Sequence, residues 1–348
     1  MSFTPKYRIS NLLLNNIARI HALITGLNSR RFPHIVLLEF ERTARAVSAY
    51  ASTSIEGNPL PLTEVKRLLK QHPHHIRDSE KEVLNYNAAL EMLNQQREDK
   101  GANISLELIL RIQKHVTDQL LPASQSGHLR QAPVVVNDPR SGRVVYLPPD
   151  VQDVPALLDE LLEYVLANQG EIDPLILAGI FHKQFVIIHP FMDGNGRTVR
   201  LSTKVLLASM GLNIFNLFSF ENYYNQNVTK YFHTVGEVGD YYDLVSKTDF
   251  TGWLEYFTEG IIDELLRVEK QLPQAMTPET TLKAHHQVIL EIIKESGFVT
   301  DHDYAQRTNR AKATRLLDFQ KLIDLGLIVR RGQSRSSHYV FRLSKIIA

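Results

Sequence analysis

Apolar residues recur at i, i+3 and i+4 through most of the first 280 residues. That spacing gathers one apolar stripe per segment and predicts amphipathic helices over Ile9 to Ile24, Leu37 to Tyr50, Glu64 to Leu69, Glu80 to Leu93, Leu106 to Leu120, Val154 to Leu166, Pro174 to Ile188 and Thr198 to Met210. The expected fold is mainly α, a helical bundle. One stretch breaks the period. Val134 to Val136 and Val144 to Tyr146 are β-branched runs around an Asn-Asp-Pro…Ser-Gly turn, so Arg130 to Pro149 reads as a β-hairpin on the helical body. Its exposed edge offers main-chain groups to an extended segment of another protein.

Beyond Leu272 to Thr281, a proline-bearing linker without periodicity, the pattern changes again. His285 to Ser296, Thr300 to Thr308 and Ala311 to Leu325 predict three short helices, the second opened by Thr300 or Asp301. Leu327 to Arg331 and His338 to Arg342 are strand-like runs around Gly332 to Ser337. Three helices and a hairpin are the layout of a small C-terminal winged helix-turn-helix. The sequence thus divides into an N-terminal helical region (1–104), a core (105–272) and this tail (281–348).

Charge separates the tail from the rest: it holds twelve Lys/Arg and six Asp/Glu, or +6, which leaves −5 on the other 280 residues of a chain with net charge +1. Arg310, Lys312 and Arg315 on its third helix and Arg330, Arg331 and Arg335 around the wing are candidate DNA contacts, with a protein-interaction or dimerisation role equally open. A hydrophobic share of 43% and a charged share of 22% are those of an ordinary globular protein. No apolar run approaches the roughly 18 to 20 residues of a membrane span, and the N-terminus lacks a signal peptide's regions, so the expected location is cytoplasmic without membrane contact. Zero cysteines exclude disulfides, thiolate catalysis and Cys-ligated zinc. His72, His74 and His75 lack partner carboxylates at helical spacing, with Pro73 breaking the local helix, and are not expected to hold a metal. His285 and His286 read as surface residues, and Trp253 as packing a late helix onto the bundle.

The chemistry concentrates in residues 189 to 200, HPFMDGNGRTVR. Gly194, Asn195 and Gly196 let successive N–H groups point into one concavity at a helix N-terminus, where an anion is favoured. Arg197 and Arg200, at i and i+3, emerge on the same face and can bind phosphate oxygens in bidentate fashion. Asp193 supplies the single carboxylate that a Mg²⁺ shared with a polyphosphate needs. His189 precedes Pro190 where the preceding helix must stop, and a neutral imidazole there can accept a proton from a hydroxyl. The Walker pattern and the strand-G-x-G-x-x-G unit are absent, which disfavours the common NTPase and dinucleotide folds.

This segment resembles the signature of the Fic family, H-x-F-x-[DE]-G-N-G-R-x-x-R, filled here by His189, Phe191, Asp193, Gly194, Asn195, Gly196, Arg197 and Arg200. The resemblance implies a protein adenylyltransferase that moves AMP from ATP to a Tyr, Thr or Ser hydroxyl of a target protein, or of itself, and releases pyrophosphate. It implies His189 as general base, Phe191 as core anchor, Asp193 as Mg²⁺ ligand, Asn195 and the loop amides at the α-phosphate, and Arg197 and Arg200 at the β- and γ-phosphates. The hairpin at 130–149 takes the place of the family's flap, which aligns the target segment, and Tyr231 and Phe232 resemble the aromatic pair lining the adenine pocket.

Upstream, STSIEG fits the family's inhibitory pattern [ST]-x-x-x-E-[GN] at Ser52, Glu56 and Gly57. The resemblance implies that Glu56 pairs with Arg200 in cis, denies it to the γ-phosphate and keeps resting activity low. Removal of AMP from modified targets, transfer of another group such as UMP or phosphocholine, and a DNA-binding regulator with a nucleotide-sensing Fic part are the alternatives. A homodimer stays open.

Overall fold

The computed structural model describes residues 3–29, 34–70, 76–100, 104–138, 141–209, 219–274, 282–325, 327–332 and 337–341. The triplet His72, His74 and His75 and the basic Arg335 therefore lie outside the described residues. The chain forms two compact units, one of Met1–Ser29 and Thr43–Val268, the other of Arg30–Arg42 and Glu269–Ala348.

The first unit takes in α1 (Asn11–Asn28), the second part of α2 (His34–Ile55), α3 (Leu62–Leu68), α4 (Asp78–Lys100), α5 (Leu106–Val116), β1 (Val136–Asn137), β2 (Val144–Leu147), α6 (Val154–Ala167), α7 (Pro174–Ile188), α8 (Asn195–Ser209), α9 (Phe220–Gln226), α10 (Val228–Val235), β3 (Gly239–Asp240), α11 (Tyr241–Leu244) and most of α12 (Thr251–Gln274). Its centre is α7. The Asp173 side chain caps it by accepting the Leu175 N–H at 2.9 Å, Pro174 fills the first helical position, and from Leu175 to Ile188 every residue but Val186 is buried. A helix apolar on all sides has to be enclosed on all sides. It packs on α6 and on α8, to which a tight loop joins it. Trp253 of α12, 1% exposed, fixes the late helix by donating its indole N–H to Gly179 O at 2.8 Å.

A second apolar cluster gathers Ala49, Leu60, Val65, Leu68, Val83, Tyr86, Leu108, Ile112, Val116, Leu201 and Val205, so the end of α2 shares a core with α3, α4, α5 and α8. Beside it lies a buried polar knot. Lys204 Nζ of α8 reaches Ser48 Oγ of α2 at 2.8 Å and Glu221 Oε1 of α9 at 3.0 Å, while Tyr86 and Ser219 hydroxyls donate to the same carboxylate at 2.7 and 2.9 Å.

The expected hairpin forms, with β1 and β2 antiparallel and a bulge between Val136 and Asn137. A third strand was not foreseen: β3 pairs parallel to β2 through Tyr146↔Gly239 and Leu147↔Asp240. Two residues carry no period, which is why the sequence pattern is silent there. The helix expected to end at Tyr50 runs to Ile55, and the one expected to reach Leu120 stops at Val116, where Gln119 adopts φ 55°.

The second unit contains α13 (Ala284–Ser296), α14 (Asp301–Gln306), α15 (Lys312–Asp324), β4 (Ile328–Arg331) and β5 (His338–Phe341). Thr300 caps α14 by accepting from Asp303 N and binding its carboxylate in return. Strands β4 and β5 pair antiparallel, and Val299 bridges to Tyr339. One expectation is corrected here: His286 is not a surface residue but 3% exposed, because its Nδ1 accepts the Lys283 N–H at 3.2 Å and its ring lies against His285 and Asp318. Burial, with His285 second, lowers His286 to about 4. Arg310 clasps Asp318 through Nε at 2.6 Å and a terminal nitrogen at 2.9 Å, and Arg315 clasps Asp301 at 2.8 Å twice. Among the described residues no helix is long and apolar enough to cross a membrane.

Candidate active site

The loop between α7 and α8 is built on two left-handed residues. His189 closes α7 with φ 51° and ψ 61°, and Gly194, at φ 81°, opens the turn into α8. A side chain at Gly194 would also meet Thr117 Cγ2 at 2.9 Å, so glycine is needed there twice over. The Phe191 ring is fully buried, and Asn195 locks the turn by accepting the Phe191 N–H and donating to its carbonyl, both at 2.9 Å. The Asn195 amide oxygen and one Nδ2 hydrogen thus serve the loop itself, and these two bonds leave the second Nδ2 hydrogen uncommitted.

His189 sits half-buried with Nδ1 3.3 Å from Val186 O. A carbonyl can only accept, so Nδ1 carries the hydrogen and Nε2 keeps its lone pair. Burial holds the imidazole below its ordinary value, against the Val186 carbonyl and Glu56, which act upward. The neutral base is therefore the resting form at neutral pH.

Asp193 directs one carboxylate oxygen to Gly194 N at 2.6 Å and the other to Arg197 at 2.9 Å, and its side chain is half exposed. Arg197 is buried and spans from Asp193 to Glu82 of α4 at 3.3 Å; its Nε finds no partner among the described residues. Glu82 in turn accepts from Asn58 Nδ2 at 2.7 Å.

Arg200 is fully buried. Its Nε donates to Ser52 Oγ at 2.8 Å, one terminal nitrogen donates to Ser52 O at 2.9 Å and to Glu56 Oε1 at 2.7 Å, and the other meets the Tyr231 hydroxyl at 3.4 Å. Burial pulls this guanidinium down, but the Glu56 carboxylate together with Tyr231 and Tyr86 more than offsets it and holds the charge above the ordinary value. A methyl group added at Gly196 would collide with Glu56 Oε1 and lie 3.0 Å from Arg200, so the carboxylate stands over the first turn of α8, on the anion-favouring end of that helix. Gly57, at φ 94°, ends the turn that carries Glu56 there.

The aromatic pair separates. Tyr231 is 1% exposed, stacked on Tyr224 with ring centroids 4.8 Å apart, and hydrogen-bonded to His182 at 3.1 Å beneath Arg200. That ring has no free face for a nucleobase, so the expectation for Tyr231 is corrected: it is the floor under an arginine, while Phe232 stays half-buried beside it. His182, wholly enclosed, lies well below the ordinary imidazole value because burial disfavours its charged form. Sequence reasoning missed Glu82, Asn58 and Tyr231's true role, since α4 shows Glu82 only as one more polar position in an amphipathic helix.

Asp193, Gly196, Arg197, Arg200, Ser52 and Glu56 lie together, next to the loop that carries His189 and leads to Asn195, with two guanidinium groups opposed by three carboxylates. Comparison with known proteins points the same way. Residues 103–207 match the sequence profile described as the Fic/DOC family. A curated protein adenylyltransferase Fic of Nematostella vectensis is 30% identical over 166 residues, 47% of this chain and 37% of that one, and its counterpart in Aedes aegypti is 29% identical over 190 residues, 53% of this chain and 36% of that one. The chain thus spans little more than a third of the length of these relatives. A crystal structure of a Fic family protein from Desulfovibrio desulfuricans G20 shares the fold with a TM-score of 0.66 at 20% identity, over 99% of this chain and 100% of that one. The complete signature thus lies inside the segment that matches the Fic/DOC family, in a chain whose helical architecture is similar to that of a Fic family protein.

Proposed function

We propose that this chain is a protein adenylyltransferase restrained by its own Glu56. The observation that carries the reading is the pairing of Glu56 with Arg200 directly over Gly196, at the start of the helix that follows the loop bearing His189. Relatives matched over the same region are named protein adenylyltransferases, which supports the same chemistry here.

In this reading ATP lays its phosphates along the first turn of α8. Arg197 and the amides that open the helix take the β-phosphate, and Arg200 takes the γ-phosphate once Glu56 has left it. Arg197's buried, unsatisfied Nε marks a donor with capacity to spare. The half-exposed Asp193 carboxylate is the group to hold a Mg²⁺ ion, which would neutralise charge between the α- and β-phosphates. His189 Nε2 takes the proton of a target hydroxyl, whose oxygen attacks the α-phosphorus; the bond to the bridging oxygen breaks and pyrophosphate leaves with the electron pair. With Glu56 in place, a carboxylate occupies the γ-phosphate's seat and repels it, so the α-phosphate misses in-line alignment.

The target segment would pair with the outer edge of β1, since the opposite edge of β2 is taken by β3. A DNA-reading role for the tail draws less support from the residues. Arg310 and Arg315 are spent on Asp318 and Asp301, and α15 exposes Leu316 and Leu317, so of the described candidate DNA contacts Lys312, Arg330 and Arg331 are the exposed ones.

The test uses ATP labelled at the α- or the γ-position, incubated with Glu56→Gly protein and a cell lysate. The α-label alone is expected to stay on protein, at a level about tenfold or more above the parent, and His189→Ala in the same background abolishes it. Glu56→Gly protein no more active than the parent, beside a silent His189→Ala control, removes the brake. Protein that keeps the γ-label removes the nucleotidyl reading.

A further inference from the structure

Arg130 stands at the start of the flap segment and is 3% exposed. Its bonds run to main-chain carbonyls rather than to a carboxylate. Nε donates to His189 O at 2.9 Å, one terminal nitrogen to Pro149 O, and the other to Ala132 O at 3.5 Å. Its own backbone N–H donates to Pro190 O at 2.9 Å. A space-filling role would not select a cation here, because an arginine withdrawn from water is tolerated only when its donors are taken up.

The carbonyls it binds are specific ones. His189 O and Pro190 O lie just past the C-terminus of α7, the end that favours positive charge, and Pro149 O is at the far end of the flap. One side chain therefore holds together the two ends of the flap and the residue that bears the base. His189 needs such a hold, since φ 51° and ψ 61° form a left-handed conformation that side-chain-bearing residues adopt at a cost and keep only when their surroundings fix it. A second link runs parallel to it, from the Tyr146 hydroxyl of β2 to Ile187 O at 3.0 Å.

We propose that Arg130 is the positioning residue for His189, fixing the left-handed turn that presents the imidazole and setting the base in register with the flap that aligns the target. The inference rests on the transfer reading above and adds a residue to it. It distinguishes itself from a purely structural role by what it leaves alone: Arg130 touches no part of the clamp formed by Arg197 and Arg200, so nucleotide affinity should not depend on it. Its positive charge and the enclosure it maintains both keep the imidazole neutral, consistent with the downward direction at His189.

The experiment compares Arg130→Met and Arg130→Lys in the Glu56→Gly background. AMP transfer from α-labelled ATP is followed against pH, Mg-ATP affinity is measured by calorimetry, and the His189 imidazole is titrated by NMR in the full chain. For Arg130→Met, kcat falls about 10- to 100-fold, the ATP Kd stays within about twofold of the parent, and the acidic limb and the imidazole midpoint both move to higher pH. Arg130→Lys keeps the charge and part of the carbonyl contact, so it recovers part of the rate and most of the midpoint. An Arg130→Met protein with parental kcat and an unmoved midpoint overturns the assignment, as does a loss of rate matched by an equal loss of ATP affinity. If Arg130→Met does not fold, parental kcat and midpoint in Arg130→Lys overturn it equally. A Glu56→Gly parent that transfers nothing sinks the transfer reading instead, and the NMR midpoint still decides whether Arg130 governs the imidazole.

Discussion

At the scale of single residues, the site is a balance of few charges. All three nitrogens of Arg200 are engaged, by Ser52, Tyr231 and Glu56. The motif positions were legible in the sequence because glycines and arginines at this fixed spacing are what a phosphate at a helix start would require. Tyr231 was misread for a physical reason: an aromatic residue after the motif serves a nucleobase or a core equally well, and only packing decides between them. The base yields a prediction with a definite sign. Burial holds His189 below 6.5, so its neutral form persists into mildly acidic solution, and the acidic limb of AMP transfer should fall below that value. Glu56 acts upward on the imidazole, so the limb should lie lower still in Glu56→Gly protein than in any active form that retains the carboxylate. A rate profile against pH with its acidic limb above 6.5 would contradict this.

At the scale of elements, periodicity located the helices from α1 to α8, and two β-branched runs around a turn located the hairpin at 130–149. The elements the pattern gave no bounds for are α9 to α12 and β3, and it says nothing of what surrounds a helix that is buried all round. β3 has two residues, and α7 is apolar on every face, so neither its partners nor its central place follow from an amphipathic stripe. The link from α2 to α8 through Lys204 was also invisible, because a lysine in a helix is ordinarily solvated. Here it is buried with Glu221, and removing one member of a buried pair leaves the other uncompensated. Lys204→Met should therefore cost about 3–5 kcal/mol, read as a lower midpoint in urea unfolding. A variant as stable as the parent would show that the knot contributes nothing net.

At the scale of the whole molecule, the two units carry their charges differently. The tail's +6 promised free cations, yet arginines on and beside α15 are committed to aspartates of the same unit. Net charge counts groups and does not report their partners, which is why the sequence could not rank DNA against protein for this tail. Arg310→Ala should then act on folding, because Asp318 would be left buried without its counter-ion; thermal unfolding of the full chain should show the tail's transition shifted down while any retention on duplex DNA in a gel shift stays as in the parent. Lost retention with unchanged melting would reverse that assignment. In the first unit, the tie between Ser48 and Lys204 lies only one turn ahead of Ser52. A helix stapled so near its own tip has little freedom to swing away as a rod. Activation would then come from unwinding a handful of residues beyond the staple, the short tether from Thr53 to Gly57, and an activator would need to grasp no more than that.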